Sequence, residues 1–288
     1  MKKSAAAGLL PVGMTDVLPP FASSEADAVE RIIHTFQNYA YQRVSPPMAE
    51  FEETLFFRQN DDLKNQTFRL VDALSGKTMG IRADMTDQIA RIALTRLADE
   101  PRPLRLAYAG HVLRLKGTQL NPARQILQVG AELIGTDSAQ ADAEVVLLAV
   151  KALKSIGIEN VSIDLNLPTL FPALCRAYGF DSETAESLSV LINQKDFSAA
   201  GAFLESLGAV GRKALPLFNV LFEAYGDCGR VVSLLNTLAL PEEARAECHR
   251  LAQVADKLKA SGTSLKITAD ALENRGFEYH CGIAFTLY

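Results

Sequence analysis

The spacing of apolar positions changes along the chain and divides it into stretches of different period. Val29, Ile32, Ile33, Phe36 and Tyr39 recur at helical intervals behind Ser24 and Asp27, which have the spacing of a capping box, so a helix is predicted to begin at Ser24. Before it, residues 9–23 carry three prolines and read as an extended lead-in. Pro46-Pro47 ends the segment that follows, and residues 49–58 are expected to add another helical turn or two. From Gln66 the period shortens, and segments 67–72 and 78–82 flank Ser75-Gly76 as the arms of a hairpin. Asp84 or Thr86 then caps a helix with Ile89, Ile92, Ala93 and Leu97 on its apolar face, closed by Pro101 and Pro103.

Two alternating stretches, 104–115 and 126–134, lie on either side of a polar loop from Lys116 to Gln125. A helix is predicted over 138–156, with Val145, Leu148, Ala149, Ala152, Leu153 and Ile156 on one face and Gly157 as its stop, and a strand over 161–167. Residues 168–262 are Ala- and Leu-rich with turns near Gly179, Gly208, Gly226 and Pro241, and read as an all-helical insertion without strands. Strands return at 265–272 and 281–288, around the turn-like Asn274-Arg275-Gly276. The expected fold class is α+β, dominated by antiparallel pairing, with a core of residues 1–167 and 263–288 and a helical insertion of residues 168–262.

Composition narrows the classes. A chain of 288 residues with 48% apolar and 22% charged residues is a folded globular protein rather than a disordered one. The net charge of −5 comes with no run of like charge, so no basic arm points to nucleic acid. Four scattered cysteines without a CxxC pair favour a reduced, cytoplasmic protein. The N-terminal apolar stretch is broken at Pro11, and no segment approaches the roughly 18 apolar residues of a membrane span. Gly76-Lys77-Thr78 is not a phosphate loop, because Val71 stands at the earlier glycine position, and His34, His111, His249 and His280 lack metal-ligand spacing. Neither a cofactor nor a metal is expected, and no residue is assigned a catalytic role.

The strand 126–134 carries the most chemistry. Alternation puts Leu127, Val129, Ala131 and Leu133 on the face expected to meet the core, and Gln128, Gly130 and Glu132 on the other. An amide and a carboxylate with a glycine between them leave room above the sheet, although a solvated sheet face has the same pattern. Arg114 and Lys116 share a face at the end of the neighbouring strand, where a guanidinium can hold a carboxylate or phosphate through two parallel bonds or form a surface ion pair.

In these residues the chain resembles the catalytic core of histidyl-tRNA synthetase, a class II synthetase. It resembles more closely the non-synthetase relatives of that enzyme, the regulatory subunits of ATP phosphoribosyltransferase. Gly13 to Pro19 matches the N-terminal signature, and Val44 to Glu50 resembles motif 1, with Pro47 in the place of its proline. Arg82-Ala83-Asp84-Met85-Thr86 stands where synthetases carry Arg-Pro-Glu-Gly-Thr, and Arg114 to Glu132 matches motif 2 and its following strand. Arg275-Gly276-Phe277-Glu278-Tyr279-His280 stands where synthetases have Arg-Gly-Leu-Asp-Tyr-Tyr. The departures separate the two relatives. Synthetase motif 2 reads Arg-x-Glu, whereas here Arg114-Leu115-Lys116 offers an ammonium, which has donors and no acceptor. The match runs to Tyr288 with neither a glycine-rich motif 3 nor an anticodon-binding domain, and the apolar face of 281–288 expects neighbouring strands.

What the resemblance implies is a pocket for histidine without the machinery for ATP or tRNA. Asp84, Thr86 and Gln128 would meet the ammonium group, Glu132 the imidazole with Tyr279 or His280 nearby, and Arg275 the carboxylate, with Arg114 also at the site. Each also has a plainer reading: Asp84 as a helix cap, Arg275 as turn chemistry, Glu132 paired with Arg114. The implied protein is a non-catalytic regulatory subunit with histidine as effector. Its partner would be a short-form ATP phosphoribosyltransferase catalytic subunit, joined by a homodimer within a larger hetero-oligomer.

Overall fold

The structure, a computed structural model of the chain, describes residues 8–57, 61–118, 121–262, 265–273 and 282–288. The chain divides into two compact units, Met1–Thr136 with Lys151–Gly157, and Asp137–Val150 with Ile158–Tyr288. These bounds differ from the partition into core and insertion, because strands that the sequence assigns to the core share a sheet with one from the helical stretch.

In the first unit, α1 (Phe21–Asn38) is followed by β1 (Gln42–Arg43), β2 (Ala49–Phe51), α2 (Glu52–Leu55), α3 (Asp61–Asn65), β3 (Phe68–Val71) and β4 (Thr78–Ile81). Next come α4 (Thr86–Thr95), β5 (Leu104–Leu113) and β6 (Gln125–Ile134). The first helix starts before Ser24: the Ala22 N–H already donates to the Leu18 carbonyl at 3.2 Å, and the Ser24 hydroxyl turns back onto the Pro20 carbonyl at 3.3 Å. Pro20, which has no N–H to satisfy, stands at the boundary instead of a capping serine. Residues 49–51, expected to be helical, form a strand antiparallel to β4, and the helical turn starts at Glu52. The hairpin is present as predicted, with Phe68 opposite Ile81 and Val71 opposite Thr78.

The strands β5 and β6 pair over their full length, and β1 runs parallel to β5. Their even-numbered positions Leu104, Leu106, Tyr108 and Val112 form a core with Met85, Ile89 and Ala93 from the start and face of α4, joined by Ile126 and Ile134 of β6. The face bearing Gln128, Gly130 and Glu132 is therefore a core face too, which corrects the expectation that the odd-numbered face alone meets the core. The odd-numbered face is met by α1, whose Ile33 and Phe36 are buried, and Ala107 on that side is fully buried. Leu127, Val129, Ala131 and Leu133 are only half-buried. A sheet covered on both sides carries its polar residues inside, so each of them needs a partner.

The helix expected over 138–156 is α5 (Ala139–Ser155), but its buried stripe is Ala139, Ala143, Val146 and Val150, with Leu148 and Ala152 beside it. Val145 and Ala149 of the predicted face are half-buried. Gln140, Glu144, Lys151 and Lys154 recur at helical spacing and mark one polar side, but apolar residues cover the rest of the helix, so packing and not period selects which of them are most buried.

The second unit continues with β7 (Ser162–Asn166), α6 (Leu170–Tyr178), α7 (Ser182–Asn193), α8 (Phe197–Ser206), α9 (Gly208–Leu221) and β8 (Tyr225–Asp227). It closes with α10 (Cys228–Leu235), α11 (Glu242–Ala260), β9 (Lys266–Asp270) and β10 (Ala284–Leu287). The sheet order is β10-β7-β9-β8, with β7 and β9 parallel and the other pairs antiparallel. The short β8 corrects the all-helical reading of 168–262, since three residues are too few to show a period of two. Asp181, Asp196 and Asp227 cap α7, α8 and α10 by accepting the N–H groups of Thr184, Ala199 and Arg230. Phe171 and Tyr178 of α6, Phe180 just after it and Phe218 of α9 pack ring against ring.

Candidate functional site

The hairpin arm β4 delivers Arg82 to Asp84 beside the paired strands, and α4 begins at once behind them. Asp84 uses both carboxylate oxygens. One accepts the Thr86 N–H at 2.7 Å, and the other accepts the side-chain amide of Gln128 at 2.9 Å. The Gln128 carbonyl oxygen in turn accepts the Met85 N–H at 3.0 Å. Met85 stands at the N-cap position of α4 and makes no side-chain cap bond, so Asp84 is not the cap itself but meets the N–H of the first helical residue from one position before it, and a carboxylate with about four lone-pair positions can do this and still meet a cation.

Two residues further along β6, Gly130 lies opposite Tyr108 in the register of the strands. A Cβ at Gly130 would sit 2.4 Å from the Tyr108 ring and hydroxyl, so glycine is the residue that lets the ring lie across β6. The Tyr108 hydroxyl donates to Glu132 at 3.1 Å and lies 3.4 Å from the Thr86 hydroxyl. Burial, followed by the Glu132 charge, raises the pKa of Tyr108 well above the usual tyrosine value, so it stays a neutral donor. Asp84, Thr86, Gln128 and Glu132 thus form one chain of contacts through Met85 and Tyr108. Thr86 is exposed and the other three are half-buried, so the chain opens to solvent. Such an arrangement offers two separated carboxylates, each already oriented by a neutral partner, to a small cationic or N–H-bearing ligand.

Behind this row stands a more deeply buried polar wall. Arg82, 5% exposed, donates to the carbonyls of His111 at 2.8 Å and Pro46 at 2.9 Å, and its guanidinium fills the space over Gly110. Burial lowers its pKa, and the nearby Glu50 opposes that shift. Gln88 donates to the Pro47 carbonyl and to Glu50, and Arg91 holds the same Glu50 carboxylate. The two prolines that interrupt the sequence pattern are thus fastened by their carbonyls to β4 and α4, which fixes the back of the site.

Arg114 donates weakly to the Ala83 carbonyl at 3.4 Å, next to Asp84. Arg124 is engaged by its own chain: it donates to the carbonyls of Val12 at 3.2 Å and Arg114 at 3.3 Å and lies 4.9 Å over the Phe68 ring. Lys116, Thr118, Pro122 and Arg124 line a recess of about 370 Å³ beneath the lead-in residue Val12.

Of the residues singled out from sequence, Asp84, Thr86, Gln128 and Glu132 come together and Arg114 lies alongside. Arg275, Tyr279 and His280 lie outside the described residues. Sequence reasoning missed Tyr108, Arg82 and Gln88. The one signal for Tyr108 was Gly130, a glycine inside a strand, which marks a close approach from the neighbouring element. Among the described residues, no group of three or more His, Cys, Asp or Glu is placed to hold a metal, and no helix is long and apolar enough to cross a membrane.

A family model described as Histidyl-tRNA synthetase matches residues 13–288. The ATP phosphoribosyltransferase regulatory subunit of Paramagnetospirillum magneticum (strain ATCC 700264 / AMB-1) is 49% identical over 288 residues, which are 100% of this chain and 74% of that protein. The crystal structure of an ATP phosphoribosyltransferase regulatory subunit/histidyl-tRNA synthetase from Bacillus halodurans C matches with a TM-score of 0.81 and 26% identity, over 97% of this chain and 72% of that one. A chain of the ATP phosphoribosyl transferase (HisG:HisZ) complex from Thermotoga maritima matches at a TM-score of 0.65 and 18% identity, over 91% of this chain and 86% of that one, a likeness of fold alone. The mixed sheets flanked by helices, with a helical insertion, are those of the class II synthetase fold.

Proposed function

We infer function from one premise: the chain belongs to the family of ATP phosphoribosyltransferase regulatory subunits, which share the histidyl-tRNA synthetase fold. It is a non-catalytic regulatory subunit serving the first step of histidine biosynthesis, needed for the activity of the catalytic subunit and for its feedback inhibition by histidine. Its partner is a short-form ATP phosphoribosyltransferase, and it works as a homodimer within a larger hetero-oligomer in the cytoplasm, without tRNA.

Histidine binds in the site built on β6. Asp84, Thr86 and Gln128 receive the ammonium group, Glu132 receives an imidazole N–H with Tyr279 or His280 beside it, Arg275 receives the carboxylate, and Arg114 borders the pocket. The observation that carries this reading is the pair of oriented carboxylates, Asp84 bonded to Gln128 and Glu132 bonded to Tyr108, on one open row. A zwitterion with a polar ring is recognised by such a row because a ligand lacking one group leaves a site residue unpaired. Lys116, where a synthetase has an acceptor for the nucleotide, favours regulation over aminoacyl activation. Feedback follows if histidine binds one arrangement of the complex more tightly than another, a coupling typically of about 1–3 kcal/mol.

The test is co-purification with a short-form phosphoribosyltransferase, followed by its assay with and without histidine and by calorimetric titration of an amino-acid panel. Activity that depends on this chain and falls with histidine is expected. Clear histidine-dependent exchange of pyrophosphate into ATP would instead establish a synthetase activity, and tighter binding of another amino acid would overturn the choice of effector.

A further inference from the structure

Two glycines interrupt the paired strands on the face that carries the site. Gly130 admits the Tyr108 ring across β6, and Gly110 does the corresponding service on β5. Its register partner is Gln128, so a side chain at position 110 would stand beside that of Gln128 on the same face. Cβ atoms at such positions lie about 4.5–5.5 Å apart. A Cβ at Gly110 would fall 2.3 Å from Arg82 Nη2, 3.3 Å from Arg82 Cζ and 3.4 Å from Met85 Sδ. The guanidinium therefore takes the place of the side chain that Gly110 lacks. Met85 closes the same space, and its N–H is the one that the Gln128 carbonyl oxygen accepts at 3.0 Å.

Arg82 is fixed there from four directions. Its Nε donates to the His111 carbonyl at 2.8 Å and its Nη1 to the Pro46 carbonyl at 2.9 Å. Its backbone N–H donates to the Met48 carbonyl at 3.0 Å, and its own carbonyl accepts the Leu113 N–H at 2.9 Å. A planar fork that is buried and bonded through two of its nitrogens has already lost its rotamer freedom and can serve as a wall. Gln128 is the opposite case, a half-buried and flexible side chain that must offer its nitrogen to Asp84 and its oxygen to Met85 at once. With the space over Gly110 empty, it would gain rotamers that abandon both partners.

We propose that Arg82 is a positioning residue for the ammonium end of the ligand: filling the place that Gly110 leaves open, it confines Gln128 to the rotamer that holds Asp84, and so sets how far the site prefers a ligand with an ammonium group over one without. The proposal rests on the reading of Asp84, Thr86 and Gln128 as the partners of that group. It puts the discrimination one layer behind those residues, in a side chain whose own bonds go to backbone carbonyls.

The experiment compares the wild-type chain with Arg82→Met, which removes the fork, and Gly110→Ala, which keeps Arg82 but displaces its guanidinium by the added methyl. Each is titrated calorimetrically with histidine and with imidazolepropionate, which keeps the ring and the carboxylate and has no ammonium group. In the unliganded proteins the side-chain amide signals of Gln128 are followed by NMR and assigned by their loss in Gln128→Leu. Both variants are expected to weaken histidine about tenfold and imidazolepropionate less than about twofold. Their Gln128 signals should move toward those of a free glutamine side chain. If Arg82→Met does not fold, Gly110→Ala carries the same two readouts. Equal weakening of both ligands would mean general loosening and overturn the proposal, as would unchanged histidine affinity or Gln128 signals that stay at their wild-type positions. A wild-type chain that binds neither ligand, or both alike, would instead refute the reading of the ammonium subsite, and the Gln128 signals would still decide whether Arg82 confines that side chain.

Discussion

Replacing Gly130 by alanine tests the geometry on which the ligand site depends. The new methyl carbon would fall 2.4 Å from the Tyr108 Cζ and hydroxyl oxygen and 2.8 Å from Cε2. Carbon atoms rest about 3.5–4.0 Å apart, so the ring must move by about 1 Å. It has little room, being 3% exposed and packed with Met85, Ile89 and Val112. Overpacking of this kind costs about 1–3 kcal/mol. The shift also strains or breaks the hydrogen bond to the Glu132 carboxylate, and bonds to charged groups contribute about 1.5–3 kcal/mol. The two losses overlap, because a ring that moves far enough to relieve the clash has already left Glu132. A net destabilisation of about 2–4 kcal/mol follows. Urea unfolding should show the lower midpoint, and calorimetry should show histidine binding about 10–100-fold weaker. Tyr108→Phe separates the effects, since it keeps the packing and removes the donor, so it should lower the midpoint less while still weakening histidine. A Gly130→Ala protein with the midpoint and affinity of the wild type would refute the placement of Tyr108 over β6. Full histidine affinity in Tyr108→Phe would refute the orientation of Glu132 by that hydroxyl.

Gln128→Leu leaves the Met85 N–H and one Asp84 oxygen without their partners, so it should cost about 1–3 kcal/mol in unfolding experiments and abolish measurable histidine binding, and retention of both would contradict the Asp84 network. Arg124→Ala removes the bonds from the guanidinium to Val12 and Arg114, and limited proteolysis should then cut the lead-in between residues 9 and 20 faster than in the wild type, whereas equal rates would show that other contacts secure it. Burial raises the thiols of Cys175 and Cys248 to about 12 and that of Cys228 to about 11. A thiol whose folded pKa is raised lends stability that is whole below its unfolded value near 9 and is lost as pH climbs through the folded value. The urea midpoint should therefore fall between about pH 9 and 12 and fall less steeply in Cys175→Ala, and a flat profile would argue that the thiols reach water in the folded state.

Periodicity found the elements that bury one clear stripe. The helix α4, the hairpin and the long pair β5 and β6 were legible because their apolar positions repeat against polar ones. The face of α5 was not, since its apolar residues reach around most of the helix outside one polar side, and β8 was too short to carry a pattern. The start of α1 was misplaced because a serine with an acidic residue three positions on outweighed a proline that needed no cap. At the candidate site, the residues proposed to meet a ligand stand out as polar groups in an otherwise apolar strand or through the resemblance. Those that hold them do not. Arg82 and Gln88 act on backbone carbonyls distant in sequence and Tyr108 on side chains equally distant, and such pairings leave no spacing to read.

If the site binds histidine as proposed, its two sides are built in opposite ways. On the amino-acid side, each carboxylate is oriented by a neutral partner and backed by a buried wall, so a ligand finds its partners in place and little ordering remains to be done on binding. On the nucleotide side, Lys116 replaces an acceptor, and the guanidinium of Arg124 is committed to Val12, Arg114 and Phe68 of its own chain. A phosphate seeking Arg124 would have to displace two carbonyls and a ring and release the lead-in, whereas the Asp84 carboxylate keeps lone pairs for a cation beside its bonds to Thr86 and Gln128. A rigid pocket alone transmits nothing, because equal affinity for two arrangements shifts neither. Regulation therefore needs one part of the ligand's surroundings to differ between states.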